Sequence, residues 1–324
     1  MYRTNMTIHC NSSNQSPLSI HLADDAVTTG QKMIQGTVEW TLTDKDDAAD
    51  LYRIQLELHG RERVSYDGKV REETFLKYPL VIQEFHTPLV YSGVHSYDFE
   101  VSLPADLPDS WQVAEPDATV GIVYTLSAYV ITSRSAVKWK STKLLTVQAA
   151  EQKPANRQGQ LVVMMPQSFP ISTNLVFSRG QIYLGWQCTS NVWTAGDWVS
   201  VSIVGQNQSD VDIKDFVVRL IESVTLMHPS FRNVKIQRIL ASTQVNTRDL
   251  SAWKAKSKTA GEPTTASFQV PESILCEAYA GSLFHLKYSI EVIAETATDR
   301  TTNPRVSCPV HLSQRAETSL DCEG

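Results

Sequence analysis

Period-two alternation runs through both halves of this chain and confines its fold to β-structure. Val38, Trp40 and Leu42 fall on one face of a strand, with Thr37, Glu39 and Thr41 on the other. Ile54, Leu56 and Leu58 face away from Arg53, Gln55 and Glu57, and Ile122, Tyr124, Leu126, Ala128 and Val130 make a longer run. The second half repeats the pattern at Val199, Val201 and Ile203, at Phe216, Val218 and Leu220, and from Phe284 through Leu286, Tyr288 and Ile290 to Val292. Such strands bury one face and leave the other polar, as antiparallel sandwich sheets do. Helical stripes are nearly absent, Asp67-Gly68 supplies a tight-turn signal, and Pro104, Pro108, Pro166, Pro170 and Pro271 punctuate the chain at loop-like positions. The fold class is all-β.

At 324 residues the chain has room for two domains of about 150 residues each, large enough to fold without a disulfide or metal staple. The two halves also match each other. SIHLADDAVTTGQKMIQGTVEW opens one unit and QIYLGWQCTSNVWTAGDWVSVSI the other, so that Gly30 corresponds to Gly196. LYRIQLEL (51–58) answers DFVVRLIE (215–222), FEVSLPADLP around Pro104 answers SFQVPESIL around Pro271, and Tyr124 answers Tyr288. Two tandem antiparallel β-sandwiches follow. The expected division is a flexible N-terminus over 1–16, a first sandwich over 17–150, a linker over 151–175, a second sandwich over 176–300 and a tail over 301–324.

Lys plus Arg is 29 and Asp plus Glu 35, a net charge of 29 − 35 = −6, which argues against nucleic acid as a partner. The five cysteines, Cys10, Cys188, Cys276, Cys308 and Cys322, are scattered and form no Cys-x-x-Cys pair, so neither a zinc ribbon nor a disulfide framework is indicated. There is no apolar run of signal-peptide or membrane-spanning length. A cytosolic protein with reduced thiols is expected, and the sequons at Asn5, Asn11, Asn14 and Asn207 are expected to carry no glycan.

The order of these elements, a Gly-containing turn into a strand, an Arg-Ile strand ending in Gly60, then GVHSYDFEVSLPADLPDSW and GIVYTLSAYV, resembles the N-terminal domain of arrestins, particularly the arrestin-domain-containing branch called α-arrestins. TAGDWVSVSIVGQNQSDVDIKDFVVRLIES resembles the start of the arrestin C-terminal domain. The resemblance spans roughly residues 17 to 295 and implies a bilobed, non-catalytic adaptor that engages membrane receptors, transporters or trafficking machinery. Departures limit it. The stretch around Ile20, His21 and Leu22 lacks the paired lysines that read receptor phosphates in visual-type arrestins. No Pro-Pro dipeptide is present, so the Pro-Pro-x-Tyr motif by which relatives recruit a ubiquitin ligase is missing from this chain. DLSAWKAKSK lacks the cysteine used by the thioredoxin-binding relative, and Cys276 lies beyond Pro271.

The candidate site is electrostatic. Residues 228–258 hold Arg232, Lys235, Arg238, Arg248, Lys254, Lys256 and Lys258 against Asp249 alone, a balance of 7 − 1 = +6, with Phe231 and Trp253 interleaved. The stretch reads as a surface for anionic lipid headgroups or phosphorylated tails, or else as a solvated strand face and flexible loop. A weaker candidate, free of acids from Asp117 to Glu151, contains Arg134, Lys138, Lys140 and Lys143. GRERVSYDGKVREETF (60–75) reads as an exposed hairpin tip, and Asp44, Asp46, Asp47 and Asp50 as a solvated loop without the Gly and Glu of a calcium site. Trp40, Trp139, Trp186, Trp193 and Trp198 are expected in core or rim packing, whereas Trp111 and Trp253 are placed for exposure. His86 and His95 lie nine residues apart and read as satisfied or solvent-facing rather than as a metal pair.

No metal-spaced His pair, Gly-x-Ser-x-Gly elbow, phosphate-cradling loop or dinucleotide fingerprint occurs, so no enzyme, cofactor or metal is expected. The leading expectation is a cytoplasmic adaptor, recruited peripherally to plasma or endosomal membranes, that binds cytoplasmic tails or loops of membrane proteins in endocytosis, protein transport or signalling. One rival is a structural subunit of an endosomal coat, like the arrestin-fold subunit of retromer. Another is a secreted two-sandwich adhesin or carbohydrate binder, which a glycan at Asn207 would favour.

Overall fold

A computed structural model describes residues 17–24, 26–28, 33–43, 51–85, 92–148, 159–173, 177–231, 234–272, 276–298 and 302–313. Up to residue 150 the strands are β1 (Leu18–Leu22), β2 (Ala26–Thr28), β3 (Met33–Leu42), β4 (Leu51–Tyr66), β5 (Lys69–Glu84), β6 (Gly93–Ser102), β7 (Trp111–Glu115), β8 (Ala118–Thr132) and β9 (Val137–Gln148). They form a sheet in the order β1-β3-β6 and a second in the order β2-β9-β8-β4-β5, with β7 also on β8. After residue 150 come β10 (Val162–Thr173), β11 (Phe177–Cys188), β12 (Val192–Thr194), β13 (Trp198–Asn207), β14 (Ile213–Leu226), β15 (Lys235–Asn246), β16 (Thr264–Gln269), β17 (Tyr279–Ala280), β18 (Phe284–Thr296) and β19 (Arg305–Ser313). Their sheets run β10-β11-β13-β16 and β12-β19-β18-β14-β15, with β17 on β18.

The chain is therefore all-β, as two tandem sandwiches, and the internal duplication holds at the level of topology. β2, β9, β8, β4, β5 and β7 take the places that β12, β19, β18, β14, β15 and β17 take in the other sheet. The alternating rows are the cores. Val38, Trp40, Ile54, Leu56, Val120, Tyr124, Leu126 and Val130 are at most 1% exposed, as are Val199, Val201, Ile203, Phe216, Val218, Leu220, Phe284, Ile290 and Val292. Each such side chain contributes about 1.5–3 kcal/mol of burial. Tyr124 donates its hydroxyl proton to Pro108 O at 2.7 Å, and Tyr288 donates to Cys276 O at 2.8 Å. The two matched tyrosines thus pin the end of the Pro element in the first half and the residue just after it in the second.

Three features depart from the sequence pattern. The sheets are not wholly antiparallel, because β2 pairs parallel with β9 and β12 parallel with β19. β10 lies within the stretch assigned to the linker and pairs along β11, while β19 lies within the assigned tail and sits between β12 and β18. Finally, the compact units do not divide at one point. The first takes Met1–Arg61, Thr74–Ser110 and Ile122–Ala150, whereas Glu62–Glu73 and Trp111–Gly121 group with Glu151–Gly324 in the second.

Cys188 and Cys308 are free thiols, and burial pushes both up from the ordinary range. Cys10 and Cys322 lie outside the described residues, as do Asn5, Asn11, Asn14, the Asp44–Asp50 cluster and His86. No helix among the described residues is long and apolar enough to cross a membrane.

Candidate functional site

The loop carrying Lys254, Lys256 and Lys258 is built on a buried asparagine at the end of β13. Asn207 is 0% exposed. Its Nδ2 donates to Val211 O at 2.7 Å and Trp253 O at 3.0 Å, and its Oδ1 accepts from Ser209 N at 3.0 Å and Ser209 Oγ at 2.7 Å. The main chain closes the same contact. Lys256 N donates to Ser209 O at 2.7 Å, Ser257 N to Asn207 O at 2.9 Å, and Ala255 N to Asp212 Oδ1 at 2.7 Å. Trp253 anchors the loop from below, 1% exposed and edge-on to Phe216 at 4.7 Å. Gly205 makes room for it, since its φ is +148° and a Cβ there would run into Tyr183 O and lie 2.9 Å from the Trp253 ring. Lys256 is held with φ at +56°. Lys256 and Lys258 are exposed and Lys254 half-buried, on a main chain whose N–H groups from Lys254 to Ser257 are all hydrogen-bonded.

The remaining basic residues do not join them in one patch. Arg248 is exposed in the turn after β15, its N–H bound to Asn246 Oδ1 at 2.8 Å. Lys235 is exposed at the other end of β15, about 36 Å away along a strand of this length. Arg238 is already neutralised, with Nε at 2.8 Å and Nη2 at 2.7 Å from Glu222 Oε1. Glu222 is 3% exposed. Burial pushes its carboxyl above the usual range, against the pull of Arg238 and of a hydrogen bond from Trp111, and nearby Glu115 pushes the same way. Arg232 lies outside the described residues. Phe231 and Trp253, expected to interleave with the charges, are 2% and 1% exposed.

The weaker candidate is divided as well. Arg134 is exposed in the turn between β8 and β9. Lys138 Nζ sits 4.4 Å over the Trp139 ring and Lys140 Nζ 5.4 Å over the Tyr129 ring. Lys143 pairs in register with the core residue Leu126, so it shares a row with Leu145 and Val147 on the opposite face of β9.

Three tryptophans are placed opposite to expectation, the first being Trp253, buried beneath the lysine loop. Trp111 is 5% exposed and stacks on Phe284 at 5.6 Å, whereas Trp198 is 70% exposed. Trp198 belongs to an outward sheet face that the sequence analysis missed. That face carries Leu161, Val163 and Met165, exposed by 65%, 47% and 72%, beside Gln187, Ser200 and Ser202. The signal was in the parity, because Trp198 is in phase with Ser200 and Ser202 and out of phase with Val199 and Val201. His95 packs its ring 5.6 Å from Trp40, and no group of three or more metal-capable side chains occurs among the described residues. The packing around Asn207 leaves no room for a glycan there.

Fold and surface together define a two-sandwich scaffold that displays loops and sheet faces. Residues 178–316, spanning most of β11 to β19, match the family model of the arrestin (or S-antigen) C-terminal domain. The match covers less than half of the chain, and it makes this segment similar to an arrestin C-terminal domain. A search of curated proteins finds no match to the chain.

Proposed function

We propose that the chain is a non-catalytic arrestin-like adaptor of the α-arrestin type. It binds acidic or phosphorylated cytoplasmic tails and loops of membrane proteins and directs their endocytosis or sorting, recruited from the cytoplasm to plasma or endosomal membranes. The observation that carries this reading is the stapled loop, in which Asn207 and Trp253 hold the main chain that presents Lys254, Lys256 and Lys258. A preorganised loop loses little freedom on binding, so its charges act with less entropic opposition than those of a mobile one. Binding then uses side-chain charge and exposed strands on a rigid scaffold, with no bond chemistry.

The test is binding to vesicles rich in phosphatidylserine against neutral ones, with wild type and with Lys254, Lys256 and Lys258 changed to Gln. At about 1 kcal/mol per cation near an acidic surface, losing three is expected to weaken binding by about 100-fold. Unchanged affinity for the acidic vesicles would overturn the assignment of this loop.

A further inference from the structure

A carboxylate is buried in the second unit with neutral donors for company. Glu62 is 3% exposed, on the same side of β4 as the core residues Leu58 and Val64. Its Oε1 accepts from Tyr279 Oη at 2.9 Å and Ser282 N at 3.0 Å, and its Oε2 accepts from Leu283 N at 2.6 Å and Ser282 Oγ at 3.5 Å. No cation pairs with it among the described residues. Two consecutive main-chain N–H groups aimed at one anion form a nest, and hydrogen bonds to an ionised acceptor are the strong ones. Gly281 makes the approach possible, because a Cβ at that position would collide with Glu62 Oε1. Burial, reinforced by Glu62, holds the proton on the Tyr279 hydroxyl and keeps it a donor.

We propose that the turn 279–283 is an anion-binding site selective for a carboxylate, filled in cis by Glu62, and that this contact anchors the hairpin tip 62–73 in the second unit. The selectivity follows from the donor set. An amide in place of the carboxylate sets an NH2 group against one of two main-chain N–H donors, so Glu62→Gln removes the interaction while conserving shape.

Hydrogen exchange of the full chain tests this, read at the Ser282 and Leu283 amides and across 62–73. Glu62→Gln and Glu62→Ala are each expected to lower protection at both places by at least about tenfold, the scale of losing charge-assisted hydrogen bonds. Sodium formate is expected to restore the Ser282 and Leu283 protection in Glu62→Ala, whereas its neutral isostere formamide leaves it low. Wild-type protection in Glu62→Gln, or equal rescue by formamide, would overturn the proposal. Gly281→Ala expels the carboxylate from the other side and serves if Glu62→Ala does not fold. Combined with Glu62→Gln it is expected to cost no more protection than either change alone, and additive losses would contradict a shared contact.

Discussion

Tyr124 and Tyr288 are each buried in a sandwich core, with only the hydroxyl reaching a main-chain oxygen. Replacing either by Phe keeps the ring and removes that hydrogen bond, so each variant is expected to lose about 1 kcal/mol by denaturant unfolding. No change in midpoint would show that the hydroxyls are bystanders. Asn207 uses both amide hydrogens and its oxygen. Asn207→Ala is expected to cost more than about 2 kcal/mol, because it leaves several buried groups without partners, and to release the lysine loop as seen by proteolysis. Glu222 gives a pH prediction. Its folded carboxyl titrates above its ordinary value of 4.5 because burial disfavours the charged form. Above 4.5 the folded chain holds more of that proton than the unfolded chain does, so stability falls as pH rises until the folded carboxyl too has ionised. The stability of wild type relative to Glu222→Gln is expected to decline from pH 4 to pH 7, and a rising difference would contradict the burial argument. None of these roles was legible from residue type. Asn207 reads as a sequon and Arg238 as a free cation until the strands bring Trp253 and Glu222 against them.

At the scale of elements, the strands with strict alternation were legible, because one buried face repeats every second residue. β10 was not. It is an edge strand carrying Pro166 and Pro170, with irregular register between Met164 and Gln167 and again between Pro170 and Ser172, so it lacks the clean period of a half-buried strand. β19 does alternate at Val306, Val310 and Leu312, which are 3%, 2% and 1% exposed, but nothing local reveals that it completes a sheet begun far upstream. The hairpin from β4 to β5 was legible from Asp67-Gly68, and both residues take positive φ, +48° and +71°, as a two-residue turn of the primed type requires. Gly68→Ala meets no neighbouring atom, so its cost is conformational alone. It is expected to lower stability by about 1 kcal/mol, and a neutral result would argue against this turn geometry.

Over the whole molecule, one strand order is used twice and different surfaces are laid upon it. The outward face of β10-β11-β13-β16 shows Trp198, glutamine, hydroxyls and apolar side chains, whereas the outward face of β1-β3-β6 carries Glu39, Asp98 and Glu100. The tandem architecture was legible because duplication leaves matched landmarks at Tyr124 and Tyr288. The surfaces were less so, since a run of bases in sequence says little about where a strand about 36 Å long delivers each one. On the proposed function, the scaffold acts by what it binds. Proximity labelling in the native cell, with wild type and the Lys254, Lys256 and Lys258 triple Gln variant, tests that most directly. Cytoplasmic segments of plasma or endosomal membrane proteins are expected to be enriched with wild type and depleted with the variant. Enrichment of secreted glycoproteins, or a membrane-protein set unchanged by the variant, would contradict the account.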